Sequence, residues 1–139
     1  TIVMLLIPKT RKSGVIMAAA LIVDVILCNV ILKNLIARVR PYDVNTAVQV
    51  LVAKPKDFSF PSGHTAASFA SVTALYLAGE KKLWKPALAL AILIAFSRMY
   101  LYVHYPTDIL GGVIFGSLSA WIGYRISTKV LLYAMMKKE

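Results

Sequence analysis

With 139 residues, 59% of them hydrophobic, and a mean hydropathy of +0.72, the chain is too apolar for an ordinary soluble domain, where about half the residues are apolar. The apolar residues fall in runs rather than in single-face stripes, which argues for a membrane protein and against a water-soluble helical fold. The formal net charge of +10 sits in short groups of cations between those runs, where topology, lipid headgroups or an anionic substrate would place them, and no basic and aromatic module points to nucleic acid.

The chain begins inside an apolar stretch, Thr1 to Ile7, which is short of the ~20 residues a bilayer crossing needs and reads as the tail of a helix whose beginning is missing. No basic region precedes it, so a secretory signal is a poor fit. After Lys9, Arg11 and Lys12, the run Val15 to Leu32 is interrupted only by Asp24 and Asn29 and forms the first complete spanning helix. Asp24 is costly in lipid and is expected to face the bundle or the interface, as a structural polar contact more than as a catalytic group. Cys28, the single cysteine, reads as a small packing residue.

Residues 33–63 break the pattern with Pro41, Asn45, Pro55 and Pro61 and form a connection outside the membrane. Thr65 to Gly79 is apolar again and closes at a basic loop with Lys81, Lys82 and Lys85; Pro86 restarts a helix to about Val103. A turn over 104–108 leads into a last run from Ile109 to about Ile126, continuing as far as Met136. Within it Gly112, Gly116, Ala120 and Gly123 mark a seam for close helix packing. The aromatic residues Tyr42, Phe58, Phe60, Tyr100, Tyr102 and Tyr105 read as interface anchors or entry-lining groups.

Alternating the loops puts Lys9, Arg11, Lys12, Lys81, Lys82, Lys85, Lys137 and Lys138 on one side, which the positive-inside rule assigns to the cytoplasm. The connection 33–63 and the turn 104–108 then share the opposite face. That face also carries Lys33, Arg38, Arg40, Lys54 and Lys56, and an anionic substrate explains cations there.

Three clusters meet on it: Lys33 with Arg40-Pro41; Pro61-Ser62-Gly63-His64; and Ser97-Arg98 with His104 and Asp108. His64 and His104 are the only two histidines of the chain. Phosphoryl transfer needs donors preset around three peripheral oxygens, a nucleophile and a leaving-group acid. Arg40 and Arg98 supply planar forks and Lys33 a compact charge. Ser62 is placed to cap a helix start and Gly63 to allow close approach of an anion to free N–H groups. Asp108, four residues beyond His104, is placed to hold one ring nitrogen and leave the other to attack phosphorus, so His64 is left as the general acid. Neither a histidine pair at ligand spacing nor a carboxylate cluster suggests a metal, and no cofactor is expected.

These residues resemble the three-part signature of the type 2 phosphatidic acid phosphatase (PAP2) superfamily, Lys-x6-Arg-Pro, Pro-Ser-Gly-His and Ser-Arg-x5-His-x3-Asp, at all eleven positions. The resemblance implies an all-α transmembrane bundle and metal-independent hydrolysis, with His104 as nucleophile, Asp108 orienting it and His64 as acid. It assigns Lys33, Arg40, Ser62, Gly63 and Arg98 to the phosphate, and it implies a site facing away from the cytoplasm. Family members usually have six spanning helices, so residues 1–139 read as one membrane domain lacking its first one to two. The expected activity is removal of phosphate from a lipid phosphate or diphosphate, such as undecaprenyl diphosphate, phosphatidylglycerol phosphate or phosphatidate, in a plasma or inner membrane; the compact core fits a bacterial enzyme. The alternatives are a non-catalytic protein that binds anionic lipid and, more remotely, a vanadate-binding haloperoxidase relative.

Overall fold

The computed structural model describes residues 1–137, so Lys138 lies outside the described residues. Every regular element among them is helical, and the architecture is the expected all-α bundle. Helix α1 (Ile2–Leu6) ends at a 3-10 turn over Pro8–Thr10 and folds back on the next helix, where Gly14 leaves room for the Leu5 backbone. Helix α2 (Arg11–Asp24) continues without a break into a π-helical segment, Val25–Leu32, and a last turn, α3 (Lys33–Ile36). It therefore begins before, and ends after, the apolar run Val15 to Leu32. Ala37, in the left-handed region at φ 48°, stops it and donates its N–H to Lys33 O.

A single turn, α4 (Pro41–Val44), starts on proline, whose missing N–H costs nothing there. Helix α5 (Gly63–Leu77) is capped by Ser62 and closed by a Schellman turn: Gly79, at φ 82°, donates to Tyr76 O and Glu80 to Leu75 O. Helix α6 (Trp84–Tyr100) carries Pro86 in its first turn, and Tyr102 at φ 57° redirects the chain into α7 (Pro106–Met136), again opened by proline.

Alanines make up more than half of the central core cluster. Ile16, Met17 and Ala20 of α2 meet Ala70, Ala74 and Leu75 of α5 and Ala120 of α7. A Cβ on Gly116 would enter the Ala66 backbone, and one on Gly123 would lie 2.5 Å from Ala20 N, so α7 packs backbone to backbone on α5 and α2 along the expected seam. Large apolar residues point outward instead, among them Ile22, Leu93, Phe96, Leu110 and Trp121. In water that arrangement would be unstable; against lipid tails it carries no penalty.

Among the described residues two helical stretches, Pro8–Val44 and Pro106–Tyr133, are long and apolar enough to cross a membrane. Helix α5 has the 15 residues of the expected run but starts and ends two positions earlier, closing before Gly79, while α6, with 17 residues, starts at Trp84 and stops at Tyr100 rather than about Val103, before the turn at Tyr102. Asp24 faces the interior, as anticipated. It is not a polar bridge between helices, since neither carboxylate oxygen has a hydrogen-bond partner among the described residues. At one end of the bundle Ser13 donates to Glu80 at 2.6 Å, and at the other the connection 33–63 folds over the start of α7.

Candidate active site

At that second end lies a cavity of about 540 Å³. The end of the α2–α3 rod contributes Asn29 and Lys33, four residues apart and so on one helical face. The link to α4 contributes Arg40, the start of α5 Gly63 and His64, the last turn of α6 Arg98, and the turn before α7 His104. Six of the eight expected site residues thus line one space. The N–H groups of Gly63 and His64 open α5 and have no intrahelical acceptor. A Cβ at Gly63 would lie 2.8 Å from Asn29 Oδ1, so this wall admits only glycine without movement.

Arg40 is 3% exposed and its fork is fully used. Nε donates to Asp57 O at 2.8 Å, Nη2 to Asp57 Oδ1 at 2.6 Å and Nη1 to Val103 O at 2.9 Å, while Nη1 also lies 3.3 Å from His104 Nε2. The other Asp57 oxygen is paired with Lys33. One carboxylate of the chain therefore bridges two of the three cations expected to hold phosphate. Partial burial favours the neutral carboxyl of Asp57, but hydrogen bonds and charge from Lys33 and Arg40 outweigh it and hold the group below the usual carboxylate range.

Asp108 and Ser62 stand behind the cavity wall. Asp108 is fully buried, and its Oδ2 lies 3.5 Å from His104 Nδ1 while accepting from Ser59 Oγ at 2.5 Å and from Tyr105 N–H at 2.8 Å. Its Oδ1 accepts from Arg38 Nη1 at 2.8 Å. Ser62 Oγ is turned to Thr65, accepting from its N–H at 3.5 Å and its hydroxyl at 3.0 Å, so this serine caps α5 rather than facing the cavity. Its N–H donates to Asp108 O at 3.0 Å, joining the starts of α5 and α7.

His64 sits exposed at the rim. Partial burial, followed by the positive charge of Arg98 and then of Lys33, pushes its pKa below the ordinary histidine value. Arg98 Nε donates to Ser97 Oγ at 3.2 Å, which leaves the rest of its fork to the cavity.

Asn29, Asp57, Arg38 and Ser59 are the site residues that sequence reasoning did not single out. The four-residue spacing of Asn29 from Lys33 was a usable signal for the first. Arg38 was grouped with cations awaiting an anionic substrate, but its partner is Asp108. Among the expected aromatic anchors, Tyr100 is exposed, whereas Tyr42 is buried with its hydroxyl donating to Pro55 O at 2.6 Å and Phe60 packs edge-on against Phe115.

Residues 13–131 match the family model described as the PAP2 superfamily. An undecaprenyl-diphosphatase of Sulfolobus acidocaldarius is 30% identical over 92% of this chain and 62% of its own length. Phosphatidylglycerophosphatase B of Bacillus subtilis is 39% identical over 66% of this chain and 47% of its own. A solved structure of a transmembrane PAP2 type phosphatidylglycerolphosphate phosphatase from Bacillus subtilis superposes with a TM-score of 0.69 at 32% identity, covering 93% of this chain and 65% of that one. The chain spans roughly half to two thirds of the length of these relatives.

Proposed function

The chain belongs to the PAP2 superfamily, and on that premise we propose that it is a membrane phosphatase removing phosphate from a lipid phosphate or diphosphate through a phosphohistidine intermediate. The observation that carries the reading is the cavity in which His64, His104, Lys33, Arg40 and Arg98 meet, with Asp108 behind His104.

Lys33, Arg40, Arg98 and the first N–H groups of α5 neutralise the three peripheral oxygens of the bound phosphoryl group. His104 Nε2 attacks phosphorus, forming the N–P bond as the bond to the lipid-side oxygen breaks, and His64 gives that oxygen its proton. Water then adds to phosphorus and returns a proton to His64, the N–P bond breaks, and inorganic phosphate leaves. Ser62 acts by capping α5 and so aiming its N–H groups at the phosphate. The cations supply the charge that a metal ion brings in other phosphatases, so the reaction runs without one.

Lipid as substrate is supported by the outward apolar surface and by what the relatives are named for, undecaprenyl diphosphate in one and phosphatidylglycerophosphate in another. The proposal puts the chain in a plasma or inner membrane as a multi-pass domain, with the cavity on the extracytoplasmic face; the positive-inside rule, applied to the basic loop at Lys81, Lys82 and Lys85, supports that orientation. The deciding experiment is phosphate release by the full-length protein in detergent, with a panel of isoprenoid diphosphates and glycerophospholipid phosphates. Release by the wild type that is lost in His104→Ala and in His64→Ala supports the proposal, and no release from any lipid by the wild type overturns it.

A further inference from the structure

The surroundings of His104 contain more than its partner carboxylate. Nε2 lies 3.3 Å from Arg40 Nη1, and a guanidinium has donors only, so Nε2 meets it as an acceptor and the ring proton belongs on Nδ1. Nδ1 in turn has two oxygens at the same distance, Asp108 Oδ2 and Ser59 Oγ, both 3.5 Å away. Either alone is long for an N–H···O bond. Ser59 gives its single hydroxyl proton to Asp108 Oδ2 at 2.5 Å, which leaves its lone pairs for Nδ1–H. The two oxygens thus form a fork around one proton.

That fork is anchored at both prongs. Ser59 is fully buried, and its N–H donates to Arg38 O at 2.8 Å. Arg38 Nη1 binds the far oxygen of Asp108 at 2.8 Å and Thr107 Oγ1 at 2.5 Å, and its guanidinium lies 4.0 Å over the Tyr105 ring. It does not line the cavity that holds the histidines. A carboxylate held by one oxygen turns about its bond to the chain; held by both, it cannot.

We propose that Ser59 and Arg38 are positioning residues that fix the tautomer of His104: Ser59 shares Nδ1–H with Asp108, and Arg38 locks the plane of the Asp108 carboxylate, so that Nε2 stays unprotonated, the form that can attack phosphorus. The role rests on His104 being the nucleophile of the proposed reaction, but the tautomer itself is independent of turnover.

The test compares full-length wild type with Ser59→Ala, Arg38→Gln and Arg38→Lys in detergent. Nitrogen NMR on isotope-labelled histidine reads which ring nitrogen carries the proton, and His64→Gln identifies the signal of His104 because only two histidines exist. The expected wild-type state is Nδ1–H alone, with mixed tautomers in Ser59→Ala and Arg38→Gln and recovery in Arg38→Lys. In parallel, kcat falls about tenfold to a thousandfold, short of the ~10⁴ that a wholly wrong tautomer costs in a comparable triad, while KM and inhibition by inorganic phosphate stay within about twofold. An unchanged single tautomer in both Ser59→Ala and Arg38→Gln overturns the proposal. So does a rise in KM with kcat intact in Arg38→Gln, which would make Arg38 a substrate ligand. A wild type that shows the single tautomer yet releases no phosphate refutes the proposed reaction and leaves the fork standing.

Discussion

The carboxylate of Asp57 lies 2.6 Å from Arg40 Nη2, and the same carboxylate pairs with Lys33, so an anion of the chain itself sits between two cations of the candidate phosphate site. Both cations are nearly buried, whereas Asp57 is half exposed on a connection that also forms a wall of the cavity. An incoming phosphate must displace it.

Asp57→Asn therefore tightens inhibition by inorganic phosphate, by about threefold to tenfold, the scale of a partly exposed ion pair worth about 1 kcal/mol. Inhibition constants in the two proteins at one pH check this. Weaker inhibition in Asp57→Asn would mean that the carboxylate holds Lys33 and Arg40 in place for phosphate instead of competing with it.

His64 makes a second prediction, on pH. A general acid must be protonated, so the rate falls as pH rises through its pKa, and in the empty site that pKa lies below the ordinary histidine value because of burial and the positive charge of Arg98 and Lys33. A bound phosphate brings negative charge and moves it up. The basic limb of kcat, which reports the loaded enzyme, is thus expected at higher pH than the basic limb of kcat/KM, which reports the empty one. Coincident limbs, or a limb that survives in His64→Ala, would remove His64 from this role.

For the covalent step, radiolabelled substrate quenched during turnover is expected to leave acid-labile, base-stable label on the protein. His104→Ala carries none. Asp108→Asn, which replaces the carboxylate that orients the ring, lowers kcat by about 10³- to 10⁴-fold. Label persisting in His104→Ala would move the nucleophile elsewhere.

The seam between helices is open to a stability measurement. A methyl group at Gly116 meets the backbone of Ala66, which cannot give as a side-chain tip does. Gly116→Ala is expected to destabilise the protein by about 1–3 kcal/mol, read as a lower Tm in detergent. A Tm equal to that of the wild type would mean that α7 and α5 are free to separate there.

Chelation by EDTA is expected to leave phosphate release intact, since Lys33, Arg40 and Arg98 provide the positive charge. A strict requirement for added magnesium would contradict the mechanism.

What the sequence revealed of this site, and what it concealed, divides along a physical line. Lys33, Arg40, His64, Arg98 and His104 were legible because each stands at a helix end or turn, and the alternation of apolar runs sends those ends to one face. The Schellman close of α5 at Gly79 and the proline starts of α4 and α7 are local chemistry too, although Pro41 falls in the expected connection and the last run was expected only from Ile109. Partnerships across the fold left no such trace: Arg38 to Asp108 joins residues 70 positions apart, and Ser59 to Asp108 joins residues 49 apart. The π-helical segment Val25–Leu32 was equally hidden, because a continuous apolar run looks the same whichever carbonyl each N–H selects. Ser62 was placed correctly as a cap, yet capping turned its hydroxyl from the phosphate it was also expected to bind.

The glycine and alanine seam along α7 has a bearing on how such a protein diversifies. Because α5, which carries His64, and α7, which carries Asp108 and follows directly on the turn of His104, touch through backbone, few interior side chains can be exchanged without shifting them. Many of the bulky apolar groups point the other way, toward whatever lipid lies alongside. On the proposed reaction, preference for one hydrocarbon tail over another is then free to drift on the outer surface, residue by residue, while the candidate reacting groups keep their spacing.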